Sequence, residues 1–221
     1  MMAFDTELAR FNMIEQQIRP WDVLDKRVLA ALAHIPREQF VAPEQRNLAF
    51  SDLALPIGQG ETMLPPVVEG RLLQAANPQP QERVLEIGTG SGFFTACLAH
   101  LARSVVSVEI HPEFTARASE RLAELGITNV LLETGDAARG WAPNERFDVI
   151  LLTGAVAELP DAFRQQLTIG GRLVAIVGHE PIMSAVRVTR LSEVEFKHET
   201  LFETHTRYLQ GAAPRPSFQF N

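Results

Sequence analysis

The chain has one cysteine, Cys97, so no internal disulfide can hold it together. It also lacks any run of eighteen apolar residues, which excludes a helix spanning a bilayer. Its first twenty residues carry acids and lack the basic start and apolar centre of a secretory signal, so the expected compartment is the cytoplasm. Basic clusters are missing too. The arginines are scattered and the net charge is −7, which argues against nucleic acid as a partner. The six histidines show no metal-ligand spacing, and no metal is expected. What remains is an ordinary globular composition, 46% apolar and 21% charged over 221 residues, enough to bury a core without staples.

Two parts are read along the chain. Residues 1–80 form a helical extension with a loop. Phe4, Leu8, Phe11, Ile14 and Ile18 recur at helical spacing and predict a helix over 5–19 with those residues inward. A second helix is expected over 25–34, ended by Pro36, and a third over 67–76. Between them, residues 40–66 carry Pro43, Pro56, Pro65, Pro66, Gly58 and Gly60 and read as an ordered loop. Residues 81–221 alternate strand and helix. Strands are expected over 83–87, 105–109, 130–133, 148–153 and 172–177, and helices over 93–102, 112–125 and 161–167. Gly170-Gly171 reads as a tight turn. Segments 185–191 and 193–202 are expected to add two antiparallel strands. The fold class is therefore α/β, a Rossmann-like, mostly parallel seven-stranded sheet with helices on both faces. The tail from Gly211, with Phe218 and Phe220, is either loose or docked on the body.

The motif that carries chemistry is V-L-E-I-G-T-G-S-G at 84–92: a strand, a glycine loop, then a helix from Phe93. Glycines there let the backbone approach a nucleotide-like ligand. A dinucleotide loop, G-x-G-x-x-G, would need glycine at 93, where Phe stands. The spacing here is Gly88, Gly90, Gly92, with Glu86 two residues before, and it resembles the first motif of class I methyltransferases. Glu86 suits the ammonium of S-adenosylmethionine. Glu109, at the end of the next strand, suits its ribose hydroxyls. Asp136, after the third strand, stands where such enzymes approach the adenine amino group.

Six stretches, M-I-E-Q-Q-I, I-P-R-E-Q-F-V-A-P, L-P-I-G-Q-G-E-T, V-L-E-I-G-T-G-S-G, G-D-A-A-R-G-W and F-D-V-I-L-L-T-G-A, resemble the protein-L-isoaspartate O-methyltransferase family in order and spacing. The resemblance implies methylation of isoaspartyl carboxyls in damaged proteins, leaving S-adenosylhomocysteine. It implies cofactor contacts from Glu86, Gly88, Thr89, Gly90, Ser91, Gly92, Glu109, Ile110, Asp136, Ala137 and Thr153. It also implies a substrate loop of Pro56, Ile57, Gly58, Glu61, Thr62 and Leu64. Leu64 stands at the family's serine and Glu61 at its glutamine, which leaves Thr62 as the hydroxyl for catalysis. A small-molecule acceptor and a non-catalytic S-adenosylmethionine-binding role stay open on sequence alone, as does the oligomeric state.

Overall fold

The computed structural model describes residues 5–214. The chain enters through α1 (Thr6–Asn12), one wide π-helical stretch (Met13–Ile18) and a short tight turn, then α2 (Lys26–His34). Asp25 caps α2 by accepting from the backbone N–H groups of Arg27 and Val28. A two-stranded hairpin follows, β1 (Pro56–Gly58) and β2 (Glu61–Thr62), and then α3 (Pro66–Ala76). The core alternates β3 (Arg83–Ile87), α4 (Phe93–Leu101), β4 (Ser104–Glu109), α5 (Pro112–Glu124), β5 (Val130–Thr134), β6 (Phe147–Val156), α6 (Asp161–Gln165) and β7 (Leu167–His179). Strands β8 (Ile182–Arg190) and β9 (Phe196–Thr204) close the sheet. The order is β5-β4-β3-β6-β7-β8-β9, parallel from β5 to β7, with β8 and β9 antiparallel additions, as expected.

Strand parity builds two cores. Val84, Val149 and Leu151 face the cluster shared with α1–α4. Leu85, Ile87, Ile150 and Leu152 face a second cluster with Phe163 of α6. The N-terminal helices share the first cluster with the sheet.

Three expectations are corrected. The first helix does not bury Leu8 and Phe11, which are 54% and 59% exposed; Arg10, Met13, Ile14 and Ile18 turn inward instead. The π-helical stretch adds a residue per turn, and so breaks the phase that a single 3.6-residue period assumed. Gly170-Gly171 is no turn. β7 runs through it, with a register shift opposite β6 that absorbs the positive φ of Gly170. The stretch 56–62, expected as loop, contains the hairpin. Phe4, Phe218 and Phe220 lie outside the described residues. No helix among the described residues is long and apolar enough to cross a membrane.

Arg37 is fully buried in the first cluster. It pairs with Glu69 of α3, donates to the carbonyls of Ala49 (2.8 Å) and Leu64 (2.8 Å), and lies over the Phe93 ring. Arg37→Met would leave Glu69 buried without its cation. The unfolding free energy, measured by urea titration, is expected to fall by about 3–5 kcal/mol. Adding Glu69→Leu should recover only part of the loss, because the carbonyls of Ala49 and Leu64 stay without their donor.

Candidate active site

The strand order reverses between β3 and β6: β4 and β5 extend one way, β7 the other. Such a switch point leaves a crevice above the strand C-termini, where open α/β sheets bind ligands. A cleft open to solvent lies there, with a cavity volume of about 120 Å³. Its floor is Ile87–Ser91 after β3, Val108–His111 after β4, Gly135–Ala138 after β5, and Thr153-Gly154 within β6.

The glycine loop is held on both sides. Thr153 Oγ1 donates within 2.9 Å of the Ile87 carbonyl and 2.6 Å of the Gly88 carbonyl. Glu109 Oε2 accepts the Gly90 N–H at 2.8 Å, and its Oε1 accepts the His111 N–H at 2.9 Å. Gly88 has φ +99, and a Cβ there would collide with Thr153 Oγ1, so only glycine fits. Each Glu109 oxygen keeps a second lone pair, so the carboxylate can clamp the loop and still accept from a ligand. Asp136 uses Oδ1 to accept the Ala138 N–H at 3.0 Å, turning the backbone below the cleft.

Two elements rise above this floor. The hairpin turns on Gln59 (φ 51) and Gly60 (φ 76), both left-handed as a tight two-residue β-hairpin turn requires. It docks on α5: Gln59 donates to Glu113 at 2.5 Å, and Arg117 donates to the Ile57 carbonyl at 2.9 Å. It brings Ile57, Glu61 and Thr62 into the cleft wall, with Met63 and Leu64 following. On the other side, Thr206–Gln210 cross over the end of β6. The Ala155 N–H donates to the Arg207 carbonyl at 2.8 Å, and the Leu209 N–H donates back to the Ala155 carbonyl at 2.9 Å. Tyr208 Oη anchors the segment on the Gly178 carbonyl at 3.0 Å. Gln210 meets His111 at 2.8 Å. The family resemblance implies that this ending, E-T-H-T-R-Y-L-Q-G-A, helps close the substrate site, although its sequence departs from the usual form and none of its residues was singled out.

Most of the expected site residues meet in the cleft: Gly88, Thr89, Gly90, Ser91, Glu109, Ile110, Asp136, Ala137 and Thr153 on the floor, Ile57, Glu61, Thr62 and Leu64 in the wall. Four do not line it. Pro56 and Gly58 belong to β1 of the hairpin but lie outside the cleft lining, with Gly58 against Phe114. Gly92 starts α4 at φ +89 and lets it pack on Ala118 of α5, a helix-packing role. Glu86 is corrected most. It shares the parity of Val84 and points toward α4, where its Oε2 accepts from Thr95 (2.5 Å) and Ser107 (2.6 Å). Ser107 also meets Thr89 Oγ1 at 2.5 Å, so Glu86 supports the loop from below. Its Oε1 is buried with no hydrogen-bond partner among the described residues. Leu64, 7% exposed, is a core residue fixed through its carbonyl. Cys97 is fully buried, a packing residue.

Burial pushes the Glu86 carboxyl up to about 8; the hydrogen bonds from Ser107 and Thr95 oppose that shift, and the charges of Glu109 and Glu69 add to it. The folded protein thus holds a proton that the unfolded chain releases near 4.5. Between these values the native state binds more protons, so stability is greatest at the acid side of this window and falls as pH rises toward 8. Glu86→Gln should flatten that decline in melting temperature between pH 5 and 8.5. Some slope remains, because burial also raises Glu69, to about 7. An unchanged slope would rule out a protonated Glu86.

Comparison with known proteins adds the family. The model of the "Protein-L-isoaspartate(D-aspartate) O-methyltransferase (PCMT)" family matches residues 9–210. Protein-L-isoaspartate O-methyltransferase 2 of Anaeromyxobacter sp. (strain Fw109-5) is 44% identical over 174 residues, 79% of this chain and 72% of the relative. Protein-L-isoaspartate O-methyltransferase 1 of Rhodopseudomonas palustris (strain HaA2) is 40% identical over 214 residues, 94% of this chain and 87% of the relative. A putative enzyme of the same name from Plasmodium falciparum, solved with S-adenosyl-L-homocysteine, superposes with a TM-score of 0.77 at 17% identity. That match covers 94% of this chain and 99% of the other, and it speaks to the fold. With the matched model running from α1 to the segment over the cleft, the chain belongs to the protein-L-isoaspartate (D-aspartate) O-methyltransferase family.

Proposed function

We propose that this protein is an S-adenosylmethionine-dependent methyltransferase that esterifies the carboxyl of L-isoaspartyl residues in damaged proteins or peptides. Family membership supports the reaction. The observation that carries the cofactor is the clamp at the switch point: Glu109 holds the glycine loop through Gly90 and faces the cleft with lone pairs to spare. The donor set fits S-adenosylmethionine. Glu109 accepts ribose hydroxyls, Asp136 accepts the adenine amino group, and Ile110 and Ala137 pack the ring. Gly88–Ser91 admit the methionyl part, while Glu86 positions Thr89 from beneath rather than touching the ligand.

When bound, S-adenosylmethionine supplies an electrophilic methyl group on a sulfonium sulfur. The protein has little chemistry left to do. The acceptor is a carboxylate whose ordinary pKa is about 4, so at neutral pH no base is needed to activate it. Catalysis reduces to holding one oxygen in line and excluding water. Thr62 is the residue proposed for that task. Thr62 lines the cleft on the hairpin side, and its hydroxyl has no hydrogen-bond partner among the described residues. Leu64 stands at the position of the family's serine but spends its carbonyl on Arg37 and its side chain in the core. The openness of the cleft between hairpin and crossing segment suits an extended peptide rather than a sealed small molecule.

Transfer of label from S-adenosylmethionine to an isoaspartyl peptide, with none to its aspartyl twin, is the expected result. Failure of transfer despite cofactor binding would sink the isoaspartyl assignment. Thr62→Val should lower kcat/KM by roughly 10- to 100-fold, the value of a hydrogen bond to a charged group, with S-adenosylhomocysteine affinity unchanged. Glu109→Ala should weaken S-adenosylhomocysteine binding, read by calorimetry, by at least about tenfold, since two hydroxyls lose a charged acceptor.

A further inference from the structure

The cleft is acidic on every side but one. Glu109 and Asp136 stand on its floor, and Glu61 and Glu69 on the hairpin side. Glu69 is paired with Arg37. Among the described lysines and arginines, only Arg207 lines the cleft. It sits on the crossing segment, with its carbonyl fixed by the Ala155 N–H and the neighbouring Tyr208 anchored on Gly178. The root of the side chain is therefore held, while the residue is exposed. Neither Arg207 nor Glu61 enters an ion pair among the described residues, so the acid of the facing wall does not neutralise the guanidinium.

An anionic acceptor entering this cleft meets repulsion from Glu61, Glu109 and Asp136 unless a cation receives it. We propose that Arg207 is a specificity-determining residue of the acceptor site. Its guanidinium draws in the isoaspartyl carboxylate and holds one oxygen by a charge-assisted hydrogen bond, leaving the other to attack. This rests on the proposed isoaspartyl activity. Glu61, on the opposite wall, then favours substrates that present a neutral or basic side chain toward the hairpin.

The test measures methyl transfer to an isoaspartyl peptide against peptide concentration for the natural protein, Arg207→Ala and Arg207→Lys, with S-adenosylhomocysteine affinity taken in parallel by calorimetry. Removing the guanidinium should raise KM for the peptide about 10- to 100-fold, with kcat within threefold and S-adenosylhomocysteine affinity unchanged. Lysine, which keeps the charge without the fork, should recover part of the loss. Raising salt should raise KM for the natural protein and leave it flat for Arg207→Ala. An unchanged KM in Arg207→Ala overturns the proposal. So does an equal loss in both variants, which marks a structural role, or a fall in S-adenosylhomocysteine affinity, which assigns Arg207 to the cofactor's carboxylate. If the natural protein itself transfers no methyl group to the peptide, the proposed activity fails first, and that failure is seen before either variant is compared.

Discussion

A single buried cation organises the acceptor side of this molecule. Arg37 cannot leave the core without stranding Glu69, and it cannot turn within it without releasing the carbonyls of Ala49 and Leu64. A guanidinium presents its donors in a rigid plane, so the three groups it reaches are fixed relative to one another. Those groups belong to the stretch before the hairpin, the stretch after it and α3. The hairpin between them therefore inherits its position from the core, although it is itself only two short strands. Its second attachment, through Gln59 and Arg117 onto α5, gives it a purchase on the cofactor side as well.

The floor of the cleft depends on a different constraint, the close approach of two backbones. Gly88 lies so near Thr153 that any side chain would collide, and the Thr153 hydroxyl then bonds the very carbonyls that glycine brings within reach. Glu109 repeats the arrangement from the other neighbour strand. Three adjacent strands thus hold one loop, and the proposed ribose acceptor, Glu109, is the same carboxylate that sets the loop. Binding and positioning are not separable there, which makes Glu109 a more informative position than the glycines around it.

Sequence reading succeeded where the structural period is short and repeated. The alternation of apolar strands and helices from Arg83 to Val177 was legible, and with it the placement of Glu109 and Asp136 at or after strand C-termini. It failed where a side chain's role depends on parity or on distant chain. Glu86 looked like a ligand because it precedes the glycines, yet its alternation with Leu85 and Ile87 puts it on the α4 face, a distinction the strand pattern already contained. The hairpin was hidden because Gln59 adopts a left-handed φ that no propensity for glutamine announces. Leu8 and Phe11 were misassigned because a π-helical stretch changes the phase within the same helical run. The segment Thr206–Gln210 is held over the cleft by contacts with Ala155, Gly178 and His111, all distant in sequence and beyond any local pattern.

The same distinction bears on the altered substrate loop. A leucine at the serine position looks, in sequence, like the loss of a hydroxyl from the reaction. In the fold, the main chain at Leu64 is held by Arg37, and the side chain is buried with Met63 in the first core cluster. What the position supplies to the site is a fixed backbone, and leucine supplies that as well as serine does, with additional apolar contact. The requirement for a hydroxyl then passes to whichever neighbour still faces the cleft. Thr62 does so, two residues earlier, on a strand of the hairpin.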